Sequence, residues 1–168
     1  MEINTKMFDG YADKYDQWFL TNNKVFESEL KLLHACLNPL KKDKILSVGC
    51  GSGLFESALK SEYGINVEYG LEPSTDMAEI AEKRGVKVEI GDAETTQLKD
   101  EEYDIIYLNG CSTYIADLGK AYKNCYNALK KGGHLILLDV PVESAYGILY
   151  SFANYADGYD EKLFSRLA

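Results

Sequence analysis

Several features that would announce a function are missing from this chain. Its four cysteines, Cys36, Cys50, Cys111 and Cys125, include no C-x-x-C pair. Their spacing fits neither a zinc site nor a small disulfide framework, so they read as reduced thiols packed as small apolar groups, and no metal is expected. Lys and Arg number 18 against 27 Asp and Glu, a formal net charge of −9. Gripping nucleic acid takes clustered cations that replace phosphate counterions. The only basic clusters are Lys41-Lys42 with Lys44, and Lys130-Lys131, both at expected helix ends where cations are favoured locally. No nucleic-acid partner is expected, whereas a small or cationic one suits the charge. No run approaches the ~18 consecutive apolar residues of a membrane span. No apolar signal-peptide core follows Met-Glu-Ile-Asn-Thr-Lys at the start, so a cytoplasmic protein is expected. There is no internal repeat or low-complexity linker. With 168 residues, 46% of them hydrophobic, the chain is expected to form one domain around a buried core.

What is present is periodicity that changes along the chain. Phe8, Tyr11, Tyr15, Trp18 and Phe19 fall at helical spacing. After Asn22-Asn23, a candidate cap, Phe26, Leu30, Leu33 and Leu37 form a second helical stripe that Pro39 closes. Residues 1–40 thus read as helical. From Lys44 strands and helices alternate. The predicted strands are Ile45 to Val48, Asn66 to Leu71, Val86 to Ile90, Tyr103 to Leu108 and His134 to Val140. Helices between them begin near Leu54, at Ser74 as N-cap, and near Asp117, the last stopped by Gly132-Gly133. The run Leu135-Ile136-Leu137-Leu138 predicts a fifth strand buried on both faces. Alternation of this kind implies an α/β fold, a doubly wound, mostly parallel sheet with right-handed crossovers. The core is assigned to 44–140, and 141–168 to a C-terminal helix and tail. In such a sheet a ligand sits at the carboxyl ends of the strands, where strand order reverses.

The residues at those ends carry the chemistry. Gly49-Cys50-Gly51-Ser52-Gly53 follows the first strand, and glycines allow a sharp turn and close approach to a ligand at a helix N-terminus. Glu72 closes the second strand about 20 residues beyond the loop, where a carboxylate can accept both ribose hydroxyls of a nucleoside. Asp92 closes the third and can accept from a purine amine. A dinucleotide loop reads G-x-G-x-x-G, but Leu54 occupies the place of its third glycine, and no Arg or Lys lies in the loop. This favours a ligand with a carboxylate over one with a pyrophosphate, and sets a nicotinamide-dependent oxidoreductase aside.

Ile45-Leu-Ser-Val-Gly-Cys-Gly-Ser-Gly53 resembles the first motif of class I, Rossmann-like, S-adenosylmethionine-dependent methyltransferases. Leu71-Glu72-Pro73-Ser74 with Met77 is similar to their acidic second-strand end. Gly91-Asp92-Ala93-Glu94, Tyr103 to Gly110, and Leu129-Lys130-Lys131-Gly132-Gly133-His134-Leu135 resemble the motifs that follow, in order. Tyr11-Ala12-x-x-Tyr15-Asp16-x-Trp18-Phe19 is similar to the lid helix of the small-molecule branch, near the ubiquinone and menaquinone methyltransferases. The resemblance implies sheet order 3-2-1-4-5 and S-adenosylmethionine as cofactor, with S-adenosylhomocysteine as product. Gly49, Gly51 and Gly53 would face its methionine part, Glu72 its ribose, and Met77, Asp92 and Ala93 its adenine. The Asn109 backbone and Tyr15 would lie near the amino-acid end. Two features depart from the family: Ser47 stands where an acid usually helps place the cofactor's ammonium, and the last two of seven strands are not evident.

The resemblance implies methyl transfer to a small-molecule acceptor by in-line displacement, in which positioning does most of the work. A base is needed only if the acceptor must lose a proton. His34 and His134 read as structural or surface residues. Asp139, Glu143, Cys111 and Tyr114 follow strands five and four and are the candidate bases, none singled out. Tyr146 and Tyr150, four apart, could line an acceptor pocket. A non-catalytic protein that keeps the fold and perhaps the pocket is the alternative. With no further strands visible, strand five would be an edge, open to pairing with another chain. Otherwise its own C-terminal segment covers it, or the chain is part of a longer protein.

Overall fold

Ile45-Leu46-Ser47-Val48, every residue buried, forms the central strand β1 (Ile45–Val48). It can be buried on both faces because Ile45 and Ser47 point to one side and Leu46 and Val48 to the other. β4 (Tyr103–Asn109) pairs with it in parallel, Ser47 opposite Tyr107, and is buried through Leu108. β2 (Tyr69–Glu72) flanks the other side of β1, followed by β3 (Lys87–Ile90), while β5 (Leu129–Leu138) pairs with β4. The sheet is five-stranded and parallel, in the order β3-β2-β1-β4-β5. The structure is a computed structural model that describes residue 8 and residues 10–155. It divides into two compact units, residues 1–138 and 139–168.

Two cores separate the helices of the first unit. On one face Leu30, Leu33 and Leu37 of α2 (Asn23–Leu37) and Phe55 and Leu59 of α3 (Leu54–Tyr63) meet Ile45, Ile105 and Tyr107. On the other Ala121, Cys125 and Ala128 of α5 (Leu118–Ala128) meet Leu46, Val48, Ile106 and Leu108. The caps follow side-chain chemistry: the Ser74 hydroxyl accepts the Met77 N–H at the start of α4 (Thr75–Lys83), and Asp117 accepts the Lys120 N–H at the start of α5. In the second unit α6 (Ala145–Tyr155) starts at a turn in which the Ser144 hydroxyl donates to Pro141 and accepts from Gly147. The side chain of Tyr150 and the tail from Asp157 to Ala168 lie outside the described residues.

Several boundaries differ from the sequence reading. Asn22 does not cap α2 with its side chain; its amide donates to the Trp18 carbonyl, 2.9 Å, and closes α1 (Ala12–Thr21) instead. Of the aromatics at helical spacing, Tyr15 and Phe19 turn inward beside Ala12 and Asp16, while Tyr11 and Trp18 stay more than half exposed. The second strand starts at Tyr69, not Asn66, because pairing with β1 begins at Leu46. α5 stops at Ala128, before the glycines. Register slips between the Tyr103–Leu129 and Ile105–His134 pairs, so Lys130 to Gly133 bulge, with Gly132 at φ +79°. β5 ends at Leu138 rather than Val140 and is only partly buried on each face. It is an edge with Leu137 43% exposed, since among the described residues no strand lies beyond it. Its apolar run reflects partial cover on both faces, Leu135 packing on the α5 side and Ile136 and Leu138 on the side of α2 and α3.

Gly53 tests how tightly α3 and α4 meet. It sits at φ +72°, and a Cβ there would lie 3.0 Å from the Ala81 Cα. Gly132 has a similar φ but open space around it. In urea unfolding, Gly132→Ala is expected to cost about 1 kcal/mol of backbone strain. Gly53→Ala is expected to cost roughly 2–4 kcal/mol, because backbone must also move. Equal costs would show that the contact is compliant.

Candidate functional site

Strand order reverses between β1 and β4, and the crevice at their carboxyl ends is where this architecture binds ligands. The chain leaves β1 through the loop Gly49–Gly53, with Gly49, Gly51 and Gly53 at φ +69°, +54° and +72°. Three left-handed residues in five allow the turn into α3, at a steric cost that only glycine avoids. The loop is tied to the next strand: the N–H groups of Gly49 and Cys50 donate to the Leu71 carbonyl, at 2.7 and 3.3 Å.

Glu72, the last residue of β2, is 5% exposed. One carboxylate oxygen accepts the Gly51 N–H and the other the Ser74 N–H, both at 2.9 Å. A buried carboxylate at the end of β2, next to the glycine loop, has the acceptor chemistry that ribose hydroxyls need, so the residues present fit a nucleoside. Pro73 is half-buried beside it, Met77 is 2% exposed on the inner face of α4, and Ala93 is buried. Asp92 is engaged locally. Its carboxylate accepts the Glu94 and Thr95 N–H groups and the Thr95 hydroxyl. Partial burial works against its charge, but these bonds outweigh it and hold the carboxyl below its usual range. Tyr15 of α1 lies against the loop: a Cβ on Gly51 would be 4.0 Å from its ring. Phe8 bridges Tyr15 and Tyr114 edge-on, with centroids 6.3 and 5.1 Å apart. Asn109, half-buried, ends β4, and the following Gly110 N–H donates to Leu138 of β5.

The structure also gathers residues that the sequence reading passed over. Asp16 on α1 accepts the Ser52 hydroxyl and an Arg84 guanidinium N–H, each at 2.5 Å, and Arg84 also donates to the Ser52 carbonyl. This clasp joins the lid helix, the glycine loop and the end of α4. Beneath the loop lies a second cluster. Glu56, in the first turn of α3 and 4% exposed, accepts the Tyr107 hydroxyl at 2.5 Å and is hydrogen-bonded to Ser47. Burial pushes the Glu56 carboxyl above its usual range, with the bonds from Tyr107 and Ser47 opposing. Burial, then the neighbouring Glu56, push the Tyr15 and Tyr107 hydroxyls upward. One signal in the sequence could have shown Glu56: Phe55 and Leu59 flank it on the inward face of α3, where a solvated acid does not belong.

Other candidates are dispersed. His34 stacks on Tyr63 with ring centroids 3.9 Å apart, and His134 is exposed on β5. Asp139, Glu143 and Tyr146 are exposed in the second unit. Cys111 packs against Gly49, its thiol 3.3 Å from the Val48 carbonyl. A cavity of about 690 Å³ lies at the amino ends of β4 and β5, lined by Asp100, Glu101, Tyr126 and Lys130 among others, and holds none of the site residues. Among the described residues no cluster of His, Cys, Asp or Glu could hold a metal, and no helix is long and apolar enough to cross a membrane.

A parallel 3-2-1-4-5 sheet with a glycine loop at its switch point and an acid closing β2 defines a Rossmann-like nucleoside-binding domain. The chain belongs to the methyltransferase domain family, whose model matches residues 46–137, and its cofactor is S-adenosylmethionine. It is 37% identical to a Thermotoga maritima S-adenosylmethionine-dependent methyltransferase of known structure, a possible histamine N-methyltransferase. That likeness covers 89% of this chain and 68% of the other, with a TM-score of 0.77. It is 33% identical over 86% of its length to an uncharacterized protein of Methanocaldococcus jannaschii, and spans 66% of that protein. It is 28% identical over 88% of its length to the demethylmenaquinone methyltransferase of T. maritima, spanning 67% of it.

The Glu56 carboxyl gives a sign to pH dependence. A buried acid whose folded pKa lies above the unfolded value contributes its full stability below about pH 4.5 and loses it as pH rises through the folded value. Urea midpoints of the wild type should therefore fall, relative to Glu56→Gln, as pH is raised from 4.5 to 8. Parallel curves would mean that Glu56 ionises as readily folded as unfolded.

Proposed function

We propose that this protein transfers the S-adenosylmethionine methyl group to a small-molecule acceptor. The observation that carries the reading is the glycine loop tied through the Gly51 N–H to Glu72, at the switch point of the sheet and within the family-matched residues. When bound, the cofactor supplies an activated sulfonium methyl. The chain's own part is to hold the reactants in line and exclude water, the part of such a reaction that can contribute most to rate. In this reading Gly49, Gly51 and Gly53 take the methionine portion, and the Glu72 carboxylate takes the ribose. Pro73, Met77, Asp92 and Ala93 surround the adenine. Tyr15, Ser47 and Asn109 lie toward the amino-acid end. The acceptor loses a proton only if its attacking atom carries one, and the formal charge of −9 suits a neutral or cationic acceptor better than an anionic one. The relatives suggest two chemistries for a substrate panel, amines and quinols. A non-catalytic role would show as cofactor binding without turnover on any member.

Thermal unfolding with S-adenosylhomocysteine, and with NAD as control, tests the pocket. A ligand at ~100 times its Kd adds about 2.7 kcal/mol, a rise of roughly 5–10 °C for a domain of this size. The rise is expected with S-adenosylhomocysteine alone and should be lost in Glu72→Ala. A rise with NAD, or with neither, would sink the reading.

The exposed β5 edge supports self-association by strand pairing as part of this proposal. Light scattering should show a mass that grows with concentration. A monomer at all concentrations with rapid amide exchange along β5 would overturn it.

A further inference from the structure

The cluster beneath the glycine loop is larger than packing needs. Ser47 and Tyr107 are register partners on β1 and β4, on a sheet face whose other central residues, Ile45 and Ile105, are apolar. Glu56 comes down onto this pair from α3. Its carboxylate accepts the Tyr107 hydroxyl at 2.5 Å and is bonded to Ser47. An apolar residue at each position would fill the same space without the cost of desolvating a carboxyl. The groups that act on or feel Glu56 are Ser47 from β1, Cys50 from the loop, Tyr107 from β4, Tyr15 from α1 and Arg84 after α4, and α2, packed against α3, brings the acid Glu29 near Tyr15. Arg84 is the only cation among them, and it is committed to Asp16. Burial pushes the Glu56 carboxyl upward as it does the Tyr15, Cys50 and Tyr107 protons, and the carboxyl is by nature the strongest acid of the four.

The cluster also lies close to the ligand face of the loop. The Tyr15 ring feels the Glu56 charge and lies against Gly51, and Cys50 feels both Glu56 and Glu72. A cation brought to the loop would stabilise the ionised form of Glu56 through a medium of low polarity.

We propose that Glu56 is the positioning residue for the cationic end of the cofactor: held by Ser47 and Tyr107 under the glycine loop, its carboxyl ionises as S-adenosylmethionine binds, and the proton leaves to water. This rests on the methyltransferase reading of the same loop. S-adenosylmethionine has one positive charge more than S-adenosylhomocysteine, so the methylated form draws out more of the proton, and methyl transfer weakens the hold on the product.

Isothermal titration calorimetry in phosphate and in Tris, from pH 5.5 to 8, counts the protons. The ligand's own amine contributes equally to all variants, so differences between proteins are the reading. Wild type should release more protons with S-adenosylmethionine than Glu56→Gln does, by a difference approaching one. Its excess with S-adenosylhomocysteine should be smaller, and its affinity for S-adenosylmethionine should rise with pH. Glu56→Gln should bind S-adenosylmethionine about tenfold more weakly at neutral pH, with a flatter pH dependence. Tyr107→Phe keeps the carboxyl but removes a bond that favours its charged form, so its midpoint of proton release should move to higher pH. That variant decides the matter if Glu56→Gln does not fold. Equal proton counts in wild type and Glu56→Gln, or an unmoved midpoint in Tyr107→Phe, would overturn the assignment of Glu56 alone. No binding of either ligand to wild type would overturn the reading of the loop, and this inference with it.

Discussion

The carboxylate of Glu72 accepts the Gly51 N–H with one oxygen and the Ser74 N–H with the other. It thereby ties together the loop that leaves β1 and the turn that leaves β2. A loop with three glycines at positive φ has little conformational preference of its own. Its shape comes from what holds it: Glu72 and the Leu71 carbonyl on the β2 side, and Asp16 with Arg84 at Ser52. Hydrogen bonds to a charged, buried acceptor are worth more than neutral ones. One carboxylate can therefore hold both turns.

Two charged clusters lie on either side of this loop and behave differently. Asp16 has a cation, Arg84, at 2.5 Å, and both are largely buried. Such a pair is costly to break from either side, since the survivor is left as an uncompensated charge. It binds the lid helix to the loop. Glu56 is held by two hydroxyls and its own backbone N–H, and the nearby Arg84 is paired with Asp16. Its desolvation is offset only in part, so its charge state is open to influence from the ligand side. The burial is similar, but the partners differ, and that difference separates a fixed clasp from a responsive group.

The strands and the loop were readable in the sequence for local reasons. β1 and β4 are buried on both faces and show as apolar runs, and a turn that needs φ > 0 shows as glycine. Ser74 and Asp117 declared two helix starts because capping uses the residue's own side chain within one turn. The burial of β5 was overestimated because an apolar run shows that both faces are covered but not that the strand is an edge, where the cover is partial. The Asn22 side chain could equally close the helix before it or open the one after, and geometry chose the former. Glu72 was legible from its spacing to the loop. Asp16 and Arg84 were not, because a charged residue in a sequence reads as solvated unless its partner is known, and Glu56 showed only through the apolar residues beside it on α3.

The sequence by itself therefore determined the order and type of the elements, the sites of the tight turns and the acid that closes β2. Each of these depends on backbone conformation or burial within a few residues. Only the tertiary structure decided which charges are buried and against what. Arg84 reaches Asp16 across 68 positions, and Tyr107 reaches Glu56 across 51. Contacts at that separation arise when packing of helices against the sheet brings the ends together, and no local pattern in the chain encodes them.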